Sequence, residues 1–277
     1  MKRIVALLTA ALVLAALLAG CASPAATPSK VLKVGMELAY PPFETKDDAG
    51  NPTGVSVDLA KAFAESLGME ADIQNIAWDG LIPSLQTGKV DMVISSMTIT
   101  DKRREQVDFS DPYAKAYLAL LVGKASPVEK AEDLNAAGRV IAVKLGSTGE
   151  TYAREHFPNA TVNAFDSENA CVTEVTQGKA DAFIYDQLTI TRNSVQFADT
   201  TRALYIPGQD AEGWGMAFQK GSDLTDKANT FLKTYTADGG FDTLTEKYLK
   251  DEKATFDQLG FPFFFANKDG TWPTGAN

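Results

Sequence analysis

Short apolar runs along the chain alternate with stretches whose apolar residues recur at helical spacing. Val31-Leu32-Lys33-Val34-Gly35-Met36 predicts a strand, Tyr40-Pro41-Pro42-Phe43 a loop and Asn51-Pro52-Thr53-Gly54 a turn. Asp58 to Leu67 places Leu59, Ala62, Phe63 and Leu67 on one helical face, and Gly68 suits its stop. A weak strand at Ile73 to Ile76 and a helix at Asp79 to Gln86 follow, with Pro83 tolerable in the helix's first turn. Gly88-Lys89-Val90-Asp91 then leads into the buried strand Val90 to Ile94. The same order returns: strand Arg139 to Val143, tight loop Gly146 to Gly149, helix Glu150 to His156, strand Val162 to Phe165, helix Asn169 to Thr176. Gly178-Lys179-Ala180-Asp181 leads into the last strand of this copy, Ala182 to Asp186. Tyr117 to Val122 predicts a strand crossing from the first unit to the second, and Trp214 to Phe218 one crossing back. Helices at Asp223 to Thr236 and Gly240 to Leu249 close the pattern. The aromatic run Phe261-Pro262-Phe263-Phe264-Phe265 in the tail is expected to pack on the body rather than stand exposed.

Two units of alternating strands and helices imply an α/β fold with parallel sheets, and ligands in such sheets sit beyond the carboxyl ends of the strands. Polar residues gather at those ends: Glu37 and Tyr40, Ser96 and Thr98, Ser147 and Thr148, and Asp186. The stretch Val90 to Arg104 carries the strongest hint. Thr100-Asp101 reads as a helix start, yet Lys102, Arg103 and Arg104 crowd the first turn, where cations oppose the helix dipole. Strand-end hydroxyls followed by a guanidinium suit a carboxylate ligand. Plainer roles stand beside this one. The basic turn is also what a solvated surface turn looks like, and Tyr40 and Trp78 are also typical core aromatics. Asp186 is also a good helix N-cap, Ser147-Thr148 a good cap for the next helix, and Glu37 an ordinary loop acid.

Composition narrows the partners. The 277 residues carry a formal net charge of −10 and no long basic run, which argues against nucleic acid. Met1-Lys2-Arg3 followed by the apolar Ile4 to Leu18 predicts a signal peptide over residues 1–20, too short and wrongly flanked for an ordinary membrane span. Leu18-Ala19-Gly20-Cys21 resembles a bacterial lipobox, which marks Cys21 for lipid attachment, and residues 21–30 read as a flexible tether. If Cys21 carries lipid, Cys171 stands alone, and its place on a helix between Ala170 and Val172 favours a buried small residue over a reactive thiol. His156 is the only histidine, so neither a zinc site nor a Ser-His catalytic pair is expected, and no cofactor is called for.

Over about Val31 to Lys250 the chain resembles the type 3 extracellular solute-binding proteins, the polar amino-acid-binding components of bacterial ABC transporters. The resemblance is carried by Ala39 to Phe43, Gly54 to Leu59, Trp78 to Leu85, Ser96-Met97-Thr98-Ile99-Thr100 with Arg103, Asp108 to Ser110, and Gly146 to Thr148. It implies a two-lobed periplasmic-binding-protein-like fold of two mixed sheets flanked by helices and joined by a two-strand hinge. Lobe one would span 31–115 and 211–250, lobe two 116–210, with a C-terminal tail at 251–277. It implies ligand-binding residues at Glu37, Tyr40, Trp78, Ser96, Met97, Thr98, Arg103, Ser147, Thr148 and Asp186. In that family Arg103 would grip the ligand α-carboxylate, helped by Ser96, Thr98 and the backbone at Thr148. Asp186 would bind the α-ammonium, and Tyr40 and Trp78 would sandwich the side chain. Glu37, where many relatives carry Asp, would face that side chain and favour a cationic or amide-bearing one. The implied protein is a monomer, lipid-anchored at the cell envelope, that hands a free polar amino acid to a permease and is not an enzyme. The alternative is a dehydratase-like enzyme on the same fold acting on a prephenate-type acid. The retained Asp186 argues against it, because such an acid has no comparable amine.

Overall fold

Strands of nearly unbroken apolar character need cover on both faces, and that requirement shapes the architecture. The computed structural model describes residues 30–274, so the expected signal segment, Cys21 and most of the expected tether lie outside the described residues. In chain order the elements are β1 (Lys30–Met36), the hairpin β2 (Thr45–Lys46) and β3 (Pro52–Thr53), α1 (Val55–Ser66), β4 (Met69–Asn75), α2 (Leu81–Gln86), β5 (Met92–Val93), α3 (Asp101–Arg104), β6 (Asp108–Phe109) and β7 (Ala114–Ala116). There follow β8 (Leu118–Gly123), β9 (Val140–Lys144), α4 (Thr148–His156), β10 (Thr161–Phe165), α5 (Glu168–Thr176), β11 (Ala182–Asp186), α6 (Gln187–Gln196) and β12 (Thr201–Tyr205). The chain closes with β13 (Glu212–Trp214), β14 (Ala217–Phe218), α7 (Leu224–Ala237), α8 (Gly240–Tyr248) and α9 (Lys250–Leu259).

Two five-stranded sheets result, in the orders β4-β1-β5-β14-β6 and β10-β9-β11-β8-β12. Four strands of each sheet run in one direction and one runs against them, β14 in the first sheet and β8 in the second, so both sheets are mixed. The antiparallel members follow from chain path: β8 and β14 each enter their sheet directly after a crossing, without an intervening helix to turn them round. The crossings themselves are β7 and β13, which pair antiparallel with Ala114 opposite Trp214 and Ala116 opposite Glu212. The apolar stretch Trp214 to Phe218 is thus two strands. Gly215 separates them, and a Cβ there would lie 2.9 Å from Ile99 and 3.1 Å from Phe109, so the chain passes between these side chains only as glycine.

Separate apolar clusters fill the lobes. One gathers β1, α1, α7, α8 and the tail, and two others pack the two faces of the second sheet. Cys171 lies in one of the latter, fully buried, and burial pushes its thiol up to about 12, as for an inert core residue. The tail holds a helix that periodicity alone did not predict, α9. Asp251 and Glu252 sit in its first turn, and Gly260 ends it in the left-handed conformation. Beyond it the aromatic run packs inward. Phe264 is buried, stacks on Trp214 at 5.8 Å and meets Phe43 edge-on at 5.2 Å. Its carbonyl accepts a 2.8 Å bond from the Lys115 N–H, which ties the tail to a crossing strand. Phe264→Ala should therefore cost about 3–5 kcal/mol of stability, read by urea denaturation, as expected for a buried aromatic truncated in a packed cluster. A loss under 1 kcal/mol would mean that the tail packs only loosely.

Candidate functional site

The strand ends of the two sheets face each other across a cleft with a cavity of about 40 Å³. Tyr40, Trp78, Ser96, Thr98 and Arg103 line it from the first lobe, and Ser147, Thr148 and Asp186 from the second. Leu118, Tyr185, Glu212 and Trp214 complete the wall.

Arg103 reaches the cleft from α3, a single turn whose N-cap Thr100 accepts the Arg103 N–H at 3.2 Å. So short a helix has little dipole to oppose the three cations. The Arg103 guanidinium donates to the Thr98 carbonyl at 2.6 Å and, across the cleft, to the Gly146 carbonyl at 3.1 Å. It also lies 5.2 Å from the centre of the Trp78 ring. Burial pulls its pKa below the ordinary value, and Glu212 opposes that shift. Gly146 makes the approach possible: its φ is +71°, and a Cβ would sit 3.3 Å from the Trp78 indole nitrogen.

Asp186 combines both of its sequence-level roles. Oδ1 caps α6 by accepting the N–H groups of Leu188 at 2.9 Å and Thr189 at 3.1 Å. Oδ2 is buried with no hydrogen-bond partner in the protein. Burial raises the carboxyl's pKa, against the help of the neighbouring Tyr40 hydroxyl and of those backbone donors. Tyr40 is likewise both core and wall, packed against Phe43, Trp214 and Tyr185 with ring centres 5.8, 5.9 and 6.2 Å away. Ser147 caps α4 by accepting the Glu150 N–H at 3.1 Å, yet it also lines the cleft.

Two expected residues stand elsewhere. Met97 is buried in the cluster of Leu81, Leu85, Val90 and Val93 and does not line the cleft. Ser96 and Thr98 line the cavity, while Met97 between them packs into the core. Glu37 is also absent from the lining and bonds instead to Lys144, at the end of β9 in the other lobe. Lys144 donates to Glu168 as well, at 2.9 Å, and the Tyr185 hydroxyl donates to the same Glu168 oxygen at 3.0 Å. Burial disfavours the Lys144 charge, but Glu168 and Glu37 outweigh it and hold its pKa above the ordinary value. Its ammonium lies 5.4 Å from the Trp78 ring centre. The carboxylate assigned to a ligand side chain is therefore already paired with a cation of the protein. Lys144 was findable, since it ends a predicted strand by the rule that selected its neighbours. Glu212 lies on a crossing strand, and no sequence rule marks it.

Behind the cleft, Ser96 holds the left-handed conformation with φ +48°, uncommon for a residue with a Cβ. Its hydroxyl donates at 3.2 Å to Glu44, which is 1% exposed. Burial pushes the Glu44 carboxyl up to about 8, against hydrogen bonds that lower it.

The family model of the bacterial extracellular solute-binding proteins, family 3, matches residues 32–251, and the chain belongs to that family. Among its relatives, the L-cystine-binding protein TcyJ of Escherichia coli (strain K12) is 32% identical over 78% of this chain and 82% of its own. The arginine-binding extracellular protein ArtP of Bacillus subtilis (strain 168) is 34% identical over 91% of this chain and 100% of its own. The crystal structure of the ancestral amino acid-binding protein AncCDT-1, a precursor of cyclohexadienyl dehydratase, matches with a TM-score of 0.71 and 39% identity over 79% of this chain and 94% of that one. The fold is that of the periplasmic amino-acid-binding proteins, and the chain is an exported amino-acid-binding component of an ABC transporter.

Glu44 gives the site a pH signature. Its carboxyl stays protonated in the fold up to about pH 8 but ionises near 4.5 when unfolded. Unfolding therefore releases a proton between those values, and wild-type stability falls as pH rises through that window. Glu44→Gln keeps the shape and cannot ionise. In thermal denaturation its Tm should match wild type near pH 4.5 and exceed it at pH 8, by about 2–4 °C for each kcal/mol relieved. Parallel Tm profiles from pH 4.5 to 8 would sink this assignment.

Proposed function

We propose that this protein captures a polar L-amino acid, cationic or amide-bearing, between its lobes and delivers it to a permease from a lipid anchor at Cys21. The observation that carries the reading is one cavity with the Arg103 guanidinium from one lobe and the unpartnered Asp186 oxygen from the other. An amino-acid zwitterion offers the complementary pair, a carboxylate for Arg103 and an ammonium for Asp186. Ser96, Thr98, Ser147 and Thr148 supply hydroxyls around them, and Tyr40 and Trp78 supply apolar walls. Side-chain preference follows from charge. Arg103 and Asp186 are matched by the ligand's own carboxylate and ammonium, and beside the cavity Glu37 and Glu168 share the single ammonium of Lys144. This acid surplus favours a ligand side chain that brings a cation or amide donors and disfavours another carboxylate. The arginine bound by ArtP fits that preference. We read the protein as a binder rather than an enzyme, acting as a monomer, because the carboxylate at 186 remains committed to an ammonium. Turnover of a prephenate-type acid would overturn that reading.

Calorimetric titration with arginine, glutamine and glutamate tests the assignment. Arg103→Ala should weaken every ligand that wild type binds by roughly 2–5 kcal/mol, since the ligand carboxylate loses its charged partner in a desolvated cleft. Glutamate should bind wild type weakest of the three. Glutamate binding as tightly as glutamine would remove the charge argument.

The anchor is tested separately. Leu18-Ala19-Gly20-Cys21 is the motivating feature, and several lipid chains hold a protein at a membrane far more stably than one. Cys21→Ser should move the protein from the membrane to the soluble fraction and abolish lipid labelling. A wild type already soluble and unlabelled would rule the anchor out.

A further inference from the structure

Glu212 has an unusual set of partners. It sits on β13, in the crossing pair, rather than at a strand end of either sheet. One of its oxygens, Oε2, accepts from the Thr98 hydroxyl at 3.0 Å and from the Thr148 hydroxyl at 2.8 Å. Thr98 belongs to the first lobe and Thr148 to the second, so a single carboxylate oxygen clips the two together. Arg103 lies in the same cavity wall and is attracted to it. Two hydroxyl donors from opposite lobes and a nearby guanidinium make a seat for a carboxylate, and here a carboxylate of the chain itself fills it.

We propose that Glu212 is a tethered surrogate for the ligand's α-carboxylate, which occupies the seat, holds the lobes together through it, and must be displaced when an amino acid binds. The inference rests on reading Arg103, Thr98 and Thr148 as the α-carboxylate seat. Its core is a matter of hydrogen-bond capacity. A threonine hydroxyl has one proton to donate. Thr98 and Thr148 each give that proton to Glu212, so neither can give it to a ligand until Glu212 lets go. A second carboxylate in the seat would also sit against the first at close range, with Arg103 the one cation lining the cavity. Binding is thus an exchange of one carboxylate for another. The tethered one lowers apparent affinity equally for all α-amino acids, because it contacts only groups that face what they share. It also favours the closed arrangement in the absence of amino acid, as any contact made to both lobes does.

The experiment uses the full chain and the variants Glu212→Ala, Glu212→Gln and Arg103→Ala. Affinities for arginine and glutamine are measured by calorimetry, and the radius of gyration without amino acid by small-angle scattering. Glu212→Ala should bind both amino acids more tightly, on the order of tenfold, with their ranking unchanged. Its radius without amino acid should exceed that of wild type. Glu212→Gln, which keeps the size but not the charge, should show a smaller gain in affinity and guards against a packing defect in the alanine variant. Unchanged or weaker affinity in both Glu212 variants would overturn the proposal and make Glu212 a wall or a direct ligand contact. Loss of binding in Arg103→Ala alongside such a result would leave the seat itself intact. Wild-type affinity in Arg103→Ala would instead sink the seat, and the surrogate with it.

Discussion

Glu37, Arg103, Lys144 and Glu212, four charged residues in or beside this cleft, each take a partner from the opposite lobe. Burying a charge is expensive unless hydrogen bonds or an opposite charge replace its water. Lys144 of one lobe answers Glu37 of the other, Arg103 reaches the Gly146 carbonyl across the gap, and Glu212 collects a hydroxyl from each side. The bonds that cross the gap, from Lys144 to Glu37, Arg103 to Gly146 and Thr148 to Glu212, are lost if the lobes separate, unless water or a ligand takes over. Closure and charge neutralisation are therefore one event. A zwitterion fits such a device because it brings both signs at once and leaves the total charge unchanged. The hydroxyls and carbonyls around it are neutral and can serve either the protein's own groups or a guest.

The sequence was informative where one local rule acted alone. Alternating strands and helices fixed the two similar units, and the strand-end rule placed Ser96, Thr98, Ser147, Thr148 and Asp186 beside one another before any coordinates. It was less informative where two rules met. Met97 sits inside a motif, but it follows the left-handed turn at Ser96 and packs into the core. Glu37 obeys the strand-end rule, as does Lys144, and only the packing of one lobe on the other shows that the two satisfy each other. Glu212 follows from neither rule, because a crossing strand has no face or end that sequence periodicity can mark. The tail helix was missed for a different reason. Its single deeply buried position, Phe256, gives no repeating stripe, and its ends are written in charge and in Gly260 rather than in apolar spacing.

Ser96 and Glu44 show how the rear of the site is built. A left-handed serine is strained, and the hydrogen bond to a buried acid helps hold it there. That arrangement turns the Ser96 segment sharply enough to set the following Thr98 into the cavity while Met97 enters the core. The acid has little exposure to water and few donors, so it is neutral at physiological pH and works as a hydrogen-bonding shape rather than as a charge.

Two of the three tryptophans, Trp78 and Trp214, wall the cavity between the lobes. Trp272 lies 4.5 Å from the Lys115 ammonium, beside the crossing pair to which the tail is tied. The protein consequently carries its own optical reporters: two of the three indoles behind the ultraviolet emission of the unlabelled chain are rings whose polarity and quenching neighbours change when the lobes move.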